Sequence, residues 1–535
     1  MTVGVTRVSH VKLTNSQDPD EFAPPEPDFI DDWFRPTPGR GSRDGRRGDV
    51  AVRTRSVFVT TGEMPATTLT LELPIFPDED GEHDRRAGGR AVRFHSAYAL
   101  IINTVSTTGL GFIYWAIAAH VYSAQTVGRS SALISALVLL STLAQLNVSS
   151  ALQKYLPKAG GSARRLIGYG YAVSCLAALP AAIGFVFLMP RLSAQWKFLS
   201  ASTPLVLLFV AAALTWGIFA LEDAALTGLR RTTVVPIENS VYGVLKLGML
   251  IGVAALLPAS GIFASWVVPL VVVIPVINIL IFWRYAPRSG GKPAQFRRQE
   301  IVRFTSADYL ASMFNQAYAS LLPLMVLSVL GAAANSGFYI AWTIAAGPTM
   351  IAANFGTSLM VEVATAPDRM AELTRGMVLR CTVITLLCTA VLAVAAHPIL
   401  RIYGKGYADQ AAPLLVVLGL ATVPRALIML TWSLDRVTGR MGRAALTQAV
   451  LAVLVLAGSR LLLRKYGIEG IGYAWFAANV AVALVRLPTL AKAAGLGRPW
   501  RTLAVSAASG RGQQAAGRSS AFGRRPAGKH RATGR

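Results

Sequence analysis

The residues of this chain that can do chemistry are polar groups set inside long apolar stretches. Gln145, Ser149 and Gln153 recur at i, i+4 and i+8, as do Asn354, Ser358 and Glu362; on a helix each trio shares one face. Asp308, Ser312 and Asn315, with Gln316 beside them, follow nearly the same spacing, and Asn103, Ser106 and Thr107 make a shorter patch. Two cations join them, Lys246 and, directly behind Pro424, Arg425. Against lipid tails such groups are costly, so they belong against protein or water. Their chemistry is noncovalent: hydrogen bonds to a polar load, and a compensating charge for an anion. Arg suits the second task, because its planar fork grips phosphate oxygens and stays charged. The bland readings stand beside these. Ser, Thr and Asn can be glue between helices, Lys246 can snorkel to the interface, and Arg425 can be a structural partner of Asp308 or of carbonyls freed at Pro424.

Bond-making has no candidate. No glycine loop ending in Lys-Ser/Thr, no HExxH and no CxxC occurs, and the six His are scattered. No enzyme, cofactor or metal is therefore expected. Cys175, Cys381 and Cys388 lie in apolar segments and read as small core residues, not a disulfide framework.

The elements that must position these groups follow from composition. The chain is 53% hydrophobic and 15% charged with a mean hydropathy of +0.47, too apolar for a soluble protein of its length. Apolar runs of about 20 residues match the roughly 30 Å of hydrocarbon that a helix must cross. Twelve spans are predicted, near 97–121, 131–156, 167–189, 203–225, 239–257, 262–284, 304–330, 335–363, 374–398, 412–434, 443–463 and 468–492. Pro323 in span 7 and Gly347-Pro348 in span 8 should bend those helices.

Sliding the sequence by 209 positions lays span 1 on span 7 and span 2 on span 8. It also matches Gly128 with Gly337, Pro204-Leu205 with Pro413-Leu414, and Gly261-Ile262 and Trp266 with Gly470-Ile471 and Trp475. The chain thus reads as an all-α polytopic membrane protein, two parallel six-helix repeats around a central cavity. Its domains are a disordered cytoplasmic extension (1–95), a first bundle (96–287), a basic cytoplasmic linker (288–303), a second bundle (304–496) and a disordered basic tail (497–535). Met64 is an alternative start.

Residues 1–93 hold 13 Lys/Arg against 16 Asp/Glu; the remainder holds 39 against 11. That excess makes anionic lipids, not nucleic acid, the expected partner. The connections after even spans are the basic ones, as at Arg230-Arg231 and Arg436, Arg440 and Arg443. The positive-inside rule places them and both termini in the cytoplasm. Asn103, Gln145, Ser149, Asp308, Asn315, Gln316, Asn354 and Glu362 would then line a cytoplasm-facing vestibule from spans 1, 2, 7 and 8, with Lys246 and Arg425 completing a substrate cavity.

The run Gly111-Phe112-Ile113-Tyr114-Trp115-Ala116-Ile117-Ala118-Ala119, followed by Tyr122-Ser123 and Val127-Gly128, resembles the opening hairpin of Wzx-like polysaccharide flippases. These are a branch of the multidrug/oligosaccharidyl-lipid/polysaccharide (MOP) exporter superfamily. Tyr403-Gly404-Lys405-Gly406-Tyr407, Gly467-Ile468-Glu469-Gly470-Ile471-Gly472, and Ser358-Leu359 followed by Glu362 are similar to it too, although Val363 stands where that branch often has Gly. The resemblance covers about 96–496. It implies alternating access and a lipid-linked, undecaprenyl-diphosphate-type oligosaccharide as substrate in a bacterial cytoplasmic membrane, with glycan polymerase or glycosyltransferases as partners. A cation-coupled multidrug antiporter of the same superfamily is the alternative. It would want deep carboxylates in the first half, where Glu222-Asp223 and Glu238 read as edge residues. A scaffold for a glycan-synthesis complex is the third reading.

Overall fold

The computed structural model describes residues 108–287 and 298–496, with side chains in the second stretch from Asp308 onward. Asn103, Ser106 and Thr107, the extension 1–95, residues 288–297 of the linker and the tail 497–535 lie outside the described residues. Within them the protein is helical, as it must be where no water can satisfy a backbone group. Ten helices are long and apolar enough to cross a membrane, and the bent pair Lys405–Leu420 and Thr422–Val437 makes another. Thr108–Val121 is the described part of span 1. Span 3 is Ala163–Leu192, span 4 Thr203–Gly228 and span 5 Val234–Gly252. Span 6 runs in three pieces, Gly261–Val267, Leu270–Ile279 and the π-turn Leu280–Tyr285, the first break falling at Val268-Pro269. The second half follows as Arg298–Leu330 and Ala332–Thr365 (spans 7 and 8), then Met370–Arg401 (span 9). Span 10 is the bent pair, and Met441–Tyr466 and Glu469–Ala493 are spans 11 and 12.

Outward-facing leucines and valines, such as Leu176 (76% exposed), Val394 (85%) and Val485 (77%), coat the bundle where lipid would lie. Span 2 is the opposite case. In its first piece, Ala124–Ala144, 15 of 21 residues are buried, so it is the post on which both halves pack. Its serines survive burial by bonding back to backbone: Ser135 to Ser131 O at 2.8 Å and Ser141 to Ala213 O of span 4 at 3.2 Å.

Two expectations fail. Residues 122–130, expected to connect spans 1 and 2, are mostly helix, with Thr126-Val127-Gly128 inside it. Ser123 caps the helix, its Oγ accepting from the Thr126 N–H at 3.2 Å, so span 2 starts at Ala124. Nor is span 2 continuous: it stops at Ala144 and resumes as Val148–Ala159. Leu146 (φ 44°) and Asn147 (φ 67°) are both left-handed, a conformation that Asn tolerates and Leu does not. The trio Gln145, Ser149, Gln153 therefore straddles a break. Spans 7 and 8 stay helical through Pro323 and Pro348. The 42° bend falls in span 10, because Pro424 lacks the N–H that the Leu420 carbonyl would need.

Leu146 is 59% exposed, so its side chain returns little for its conformation. Leu146→Gly should stabilise the protein by about 0.5–1 kcal/mol, the relief of the left-handed penalty less glycine's entropy loss. Thermal melting of the purified protein measures this, and a lower midpoint would refute it.

Candidate functional site

Each half holds a buried cation against aromatic rings, and one ring of each set, Trp266 and Trp475, is register-matched. In the first half, Lys246 Nζ lies 4.2 Å from the ring centre of Trp266, 4.6 Å from Tyr114 and 5.6 Å from Tyr242. Because span 5 begins at Val234 rather than near 239, Lys246 is twelve residues inside it, about 18 Å of helix from that end. It is 5% exposed. It does not snorkel. The box is rigid: Tyr114 hydrogen-bonds to Ser265 Oγ at 2.7 Å and Tyr242 donates to Trp266 O at 2.8 Å. Tyr114 also meets Trp266 edge-on at 6.3 Å, and Trp216 lies tilted against Trp266 at 5.3 Å. Rings face a cation with their negative π-clouds and so offset part of its lost hydration.

In the second half, Arg425 lies 5.7 Å from the centres of both Tyr318 and Trp475. Trp475 is the counterpart of Trp266 under the 209-residue shift. Arg425 is likewise twelve residues from the Val437 end of span 10, in the first turn after the bend. Its Nη2 donates to Asn315 Oδ1 and to the Tyr318 hydroxyl, the latter at 2.6 Å, and Tyr318 in turn donates to Asn315 at 2.6 Å. Nε and Nη1 are buried with no partner among the described residues. No carboxylate neutralises Arg425 there. Asp308, the expected partner, instead accepts from Arg436 Nε at 3.0 Å, and Asp435 pairs with Arg486 of span 12. An arginine with two open N–H groups at a buried site is suited to an anion.

The polar stripes divide. Gln145 and Ser149 still meet, Ser149 Oγ donating to Gln145 Oε1 at 2.7 Å across the break. Gln153 is buried, 5% exposed, with its backbone packed beside Gly228 of span 4. Asn354, Ser358 and Glu362 do share one face, Asn354 and Ser358 exposed and Glu362 half-buried, with Ser358 Oγ 3.4 Å from Glu362. Gln316 donates to Ser320 along its own helix at 2.9 Å.

The two halves touch most closely at the basic-poor ends. Asn335 Nδ2 donates to Gly128 O at 2.8 Å and to Ser131 Oγ at 3.1 Å. Trp196 of the 3–4 connection donates to Ser328 Oγ of span 7 at 2.9 Å, and Trp115 packs on Tyr339 at 4.8 Å. Residues 335–341 of span 8 are all buried, whereas several residues between 351 and 365 are exposed. The halves are sealed at the basic-poor face, and nearer the basic-rich one Tyr309 of span 7 still donates to the Thr142 and Leu143 carbonyls of span 2 at 3.4 and 3.3 Å.

Three carboxylates that the sequence places at span edges are buried. Glu222, Asp223 and Glu238 are at most 4% exposed and cluster between spans 4 and 5, with Asn278 of span 6 donating to Glu222. The span-5 boundary hid them: started at 239 it leaves Glu238 outside the membrane, and started at Val234 it puts Glu238 one turn within. Arg486, within the apolar run of span 12, was visible as a buried charge and was overlooked.

No family model and no curated protein matches the sequence. Solved structures do. A multidrug-resistance MATE family transporter of the MOP superfamily matches in its outward-facing form with a TM-score of 0.54 at 15% identity, over 75% of this chain and 96% of that one. Its inward-facing form gives 0.53 at 14%, over 74% and 98%. The lipid II flippase MurJ, in an inward closed conformation, gives 0.60 at 13%, over 73% of this chain and 86% of that one. The likeness is one of fold.

Proposed function

We propose that this chain, which has the fold of MOP-superfamily transporters, is a flippase for a lipid-linked oligosaccharide, turning an undecaprenyl-diphosphate-type carrier over by alternating access. The observation that carries the reading is Arg425: a buried guanidinium with two N–H groups unpartnered and no carboxylate beside it among the described residues. A diphosphate passing through a low-dielectric interior needs such a charge, and Lys246 offers a second at matching depth in the other half. Gln145, Ser149, Asn315, Asn354 and Glu362 supply hydrogen-bonding groups for the saccharide. In this reading the basic-rich face is cytoplasmic, the membrane is the bacterial cytoplasmic one, and glycan polymerase or glycosyltransferases act alongside. Asp308 and Gln316, both satisfied within the protein, serve structure rather than substrate.

Reconstitution tests it. Proteoliposomes carrying a fluorescent undecaprenyl-diphosphate oligosaccharide should move it between leaflets faster than protein-free vesicles. Vesicles that extrude cationic dyes but leave the lipid where it was would favour the antiporter reading, to which the buried carboxylates of spans 4 and 5 lend support.

Orientation has its own expected outcome. In intact cells a cysteine at exposed Ala124 should react with a membrane-impermeant thiol reagent, and one at exposed Gly161 should not. The reverse pattern would invert the topology.

A further inference from the structure

A groove of about 930 Å³ opens on the outside of the bundle near its basic-poor face. One wall is the end of span 3, with Met189 and Leu192; the other is Leu321 and Met325 of span 7 and Leu456 of span 11. The walls therefore come from different halves. They are joined at the polar end, where Ser193 Oγ donates to the Ser328 carbonyl at 3.1 Å and Trp196 to Ser328 Oγ at 2.9 Å. Leu192 and Leu461 beside it are 67% and 78% exposed, so the groove is open where lipid would lie. Its length is that of one leaflet. Leu321 lies nine residues before Leu330, the end of span 7, and Leu456 ten before Tyr466, the end of span 11. At 1.5 Å per residue these are about 14 and 15 Å, half of the roughly 30 Å of hydrocarbon.

The groove ends on two arginines. Arg460 and Arg464, one turn apart on span 11, line it, and neither forms an ion pair among the described residues. The described acids of that face are engaged elsewhere: Asp409 lies 3.4 Å from His397, and Glu469 accepts from Tyr473 at 3.1 Å. Span 11 has 26 residues, about 39 Å of helix, which exceeds the hydrocarbon by about 9 Å. With that surplus shared between its ends, Arg464 stands at headgroup level and Arg460 just within the hydrocarbon, where a charge needs an anion beside it. Neither arginine is a general feature of such an end. The residues 209 positions earlier are Ile251 and Ala255, and no Lys or Arg occurs from 247 to 262. A free anion would need no apolar wall, and a neutral lipid would leave both guanidiniums without a countercharge. A second copy of the chain would have to bring an acid, and the described acids of this face are already engaged.

We propose that this groove binds an anionic phospholipid of the leaflet at the basic-poor face. An acyl chain lies along Leu321, Met325 and Leu456, and the phosphate is held by Arg460 and Arg464, whose planar forks match phosphate oxygens. Because the walls belong to different halves, the lipid ties them together and favours the form in which this face is closed. The site is separate from Arg425 and independent of which substrate the chain carries.

Lipid titration into the purified full-length protein in neutral detergent tests this without any transport assay. Native mass spectrometry should show one retained phosphatidylglycerol, bound about thirtyfold more tightly than phosphatidylcholine, and phosphatidylglycerol should raise the melting midpoint more. Arg460→Gln/Arg464→Gln should bring the two lipids to equal affinity, while Arg460→Lys/Arg464→Lys keeps most of the preference. Met325→Trp, which fills the groove and leaves both arginines in place, should weaken both lipids, and carries the test if the glutamine pair fails to fold. Equal binding of the two lipids by the parent, or a preference that survives the glutamine pair or the filled groove, overturns the proposal. So does stabilisation by inorganic phosphate alone, which would make this a free-anion site. Displacement of phosphatidylglycerol by an equal concentration of undecaprenyl phosphate overturns it too, by assigning the groove to the tail of a carrier lipid. A dimer lost in the glutamine pair would assign the arginines to a second copy, with the same result.

Discussion

Arg425→Gln should abolish most lipid translocation while the protein reaches the membrane in normal amount. Removing one partner of a buried, hydrogen-bonded charge pair costs about 3 kcal/mol, a fall of about two orders of magnitude in rate or affinity. The folding cost should be small, for a reason specific to this site. Arg425 has no carboxylate to leave stranded, and its two acceptors, Asn315 and Tyr318, already hydrogen-bond to each other. Arg425→Lys keeps the charge but loses the fork, and should retain part of the activity. Translocation in reconstituted vesicles, read beside membrane abundance, decides the matter. Full activity in well-expressed Arg425→Gln protein would remove the arginine from the substrate path.

Closure of the basic-poor face should depend as strongly on Gly128. A Cβ there would sit 1.7 Å from the Ala332 carbonyl oxygen and 2.6 Å from its carbon. The obstacle is backbone, so no rotamer change relieves it. Gly128→Ala must hold span 2 away from the start of span 8, breaking the Asn335 hydrogen bonds to Gly128 and Ser131. Alternating access then stalls, and translocation should fall more than about tenfold even if only some 1–2 kcal/mol of closure is lost. A cysteine at Ala132, fully buried in the native protein, reports the opening. It should react with a thiol reagent in the Gly128→Ala background and stay silent in the parent. Silence in both would mean that the contact yields without opening the face.

Much of the scaffold was legible, because the physics that sets it is local. Hydrocarbon thickness fixes how long an apolar run must be, and the runs are contiguous in the chain. Span boundaries were less legible. The true starts of spans 2 and 5 lie several residues earlier, decided by the Ser123 cap and by the helix beginning at Val234 rather than by hydrophobicity. That small error mattered, since it kept Glu238 out of the membrane and left it reading as an edge residue.

By itself the sequence determined that this is a helical membrane protein of two like halves, that polar groups and two cations lie within its apolar segments, and that Trp266 and Trp475 are counterparts. Those are statements about spacing along one chain. Only the tertiary structure decided the partners. Asp308 meets Arg436 across 128 residues and leaves Arg425 to Asn315, Tyr318 and Trp475. Span 2 breaks at Leu146 although its polar spacing asks for one helix. Three acids, two from span 4 and one from span 5, come together beside Asn278 of span 6. Helical periodicity says which face a side chain is on, but what that face meets depends on how twelve helices pack, and that is a property of no single segment.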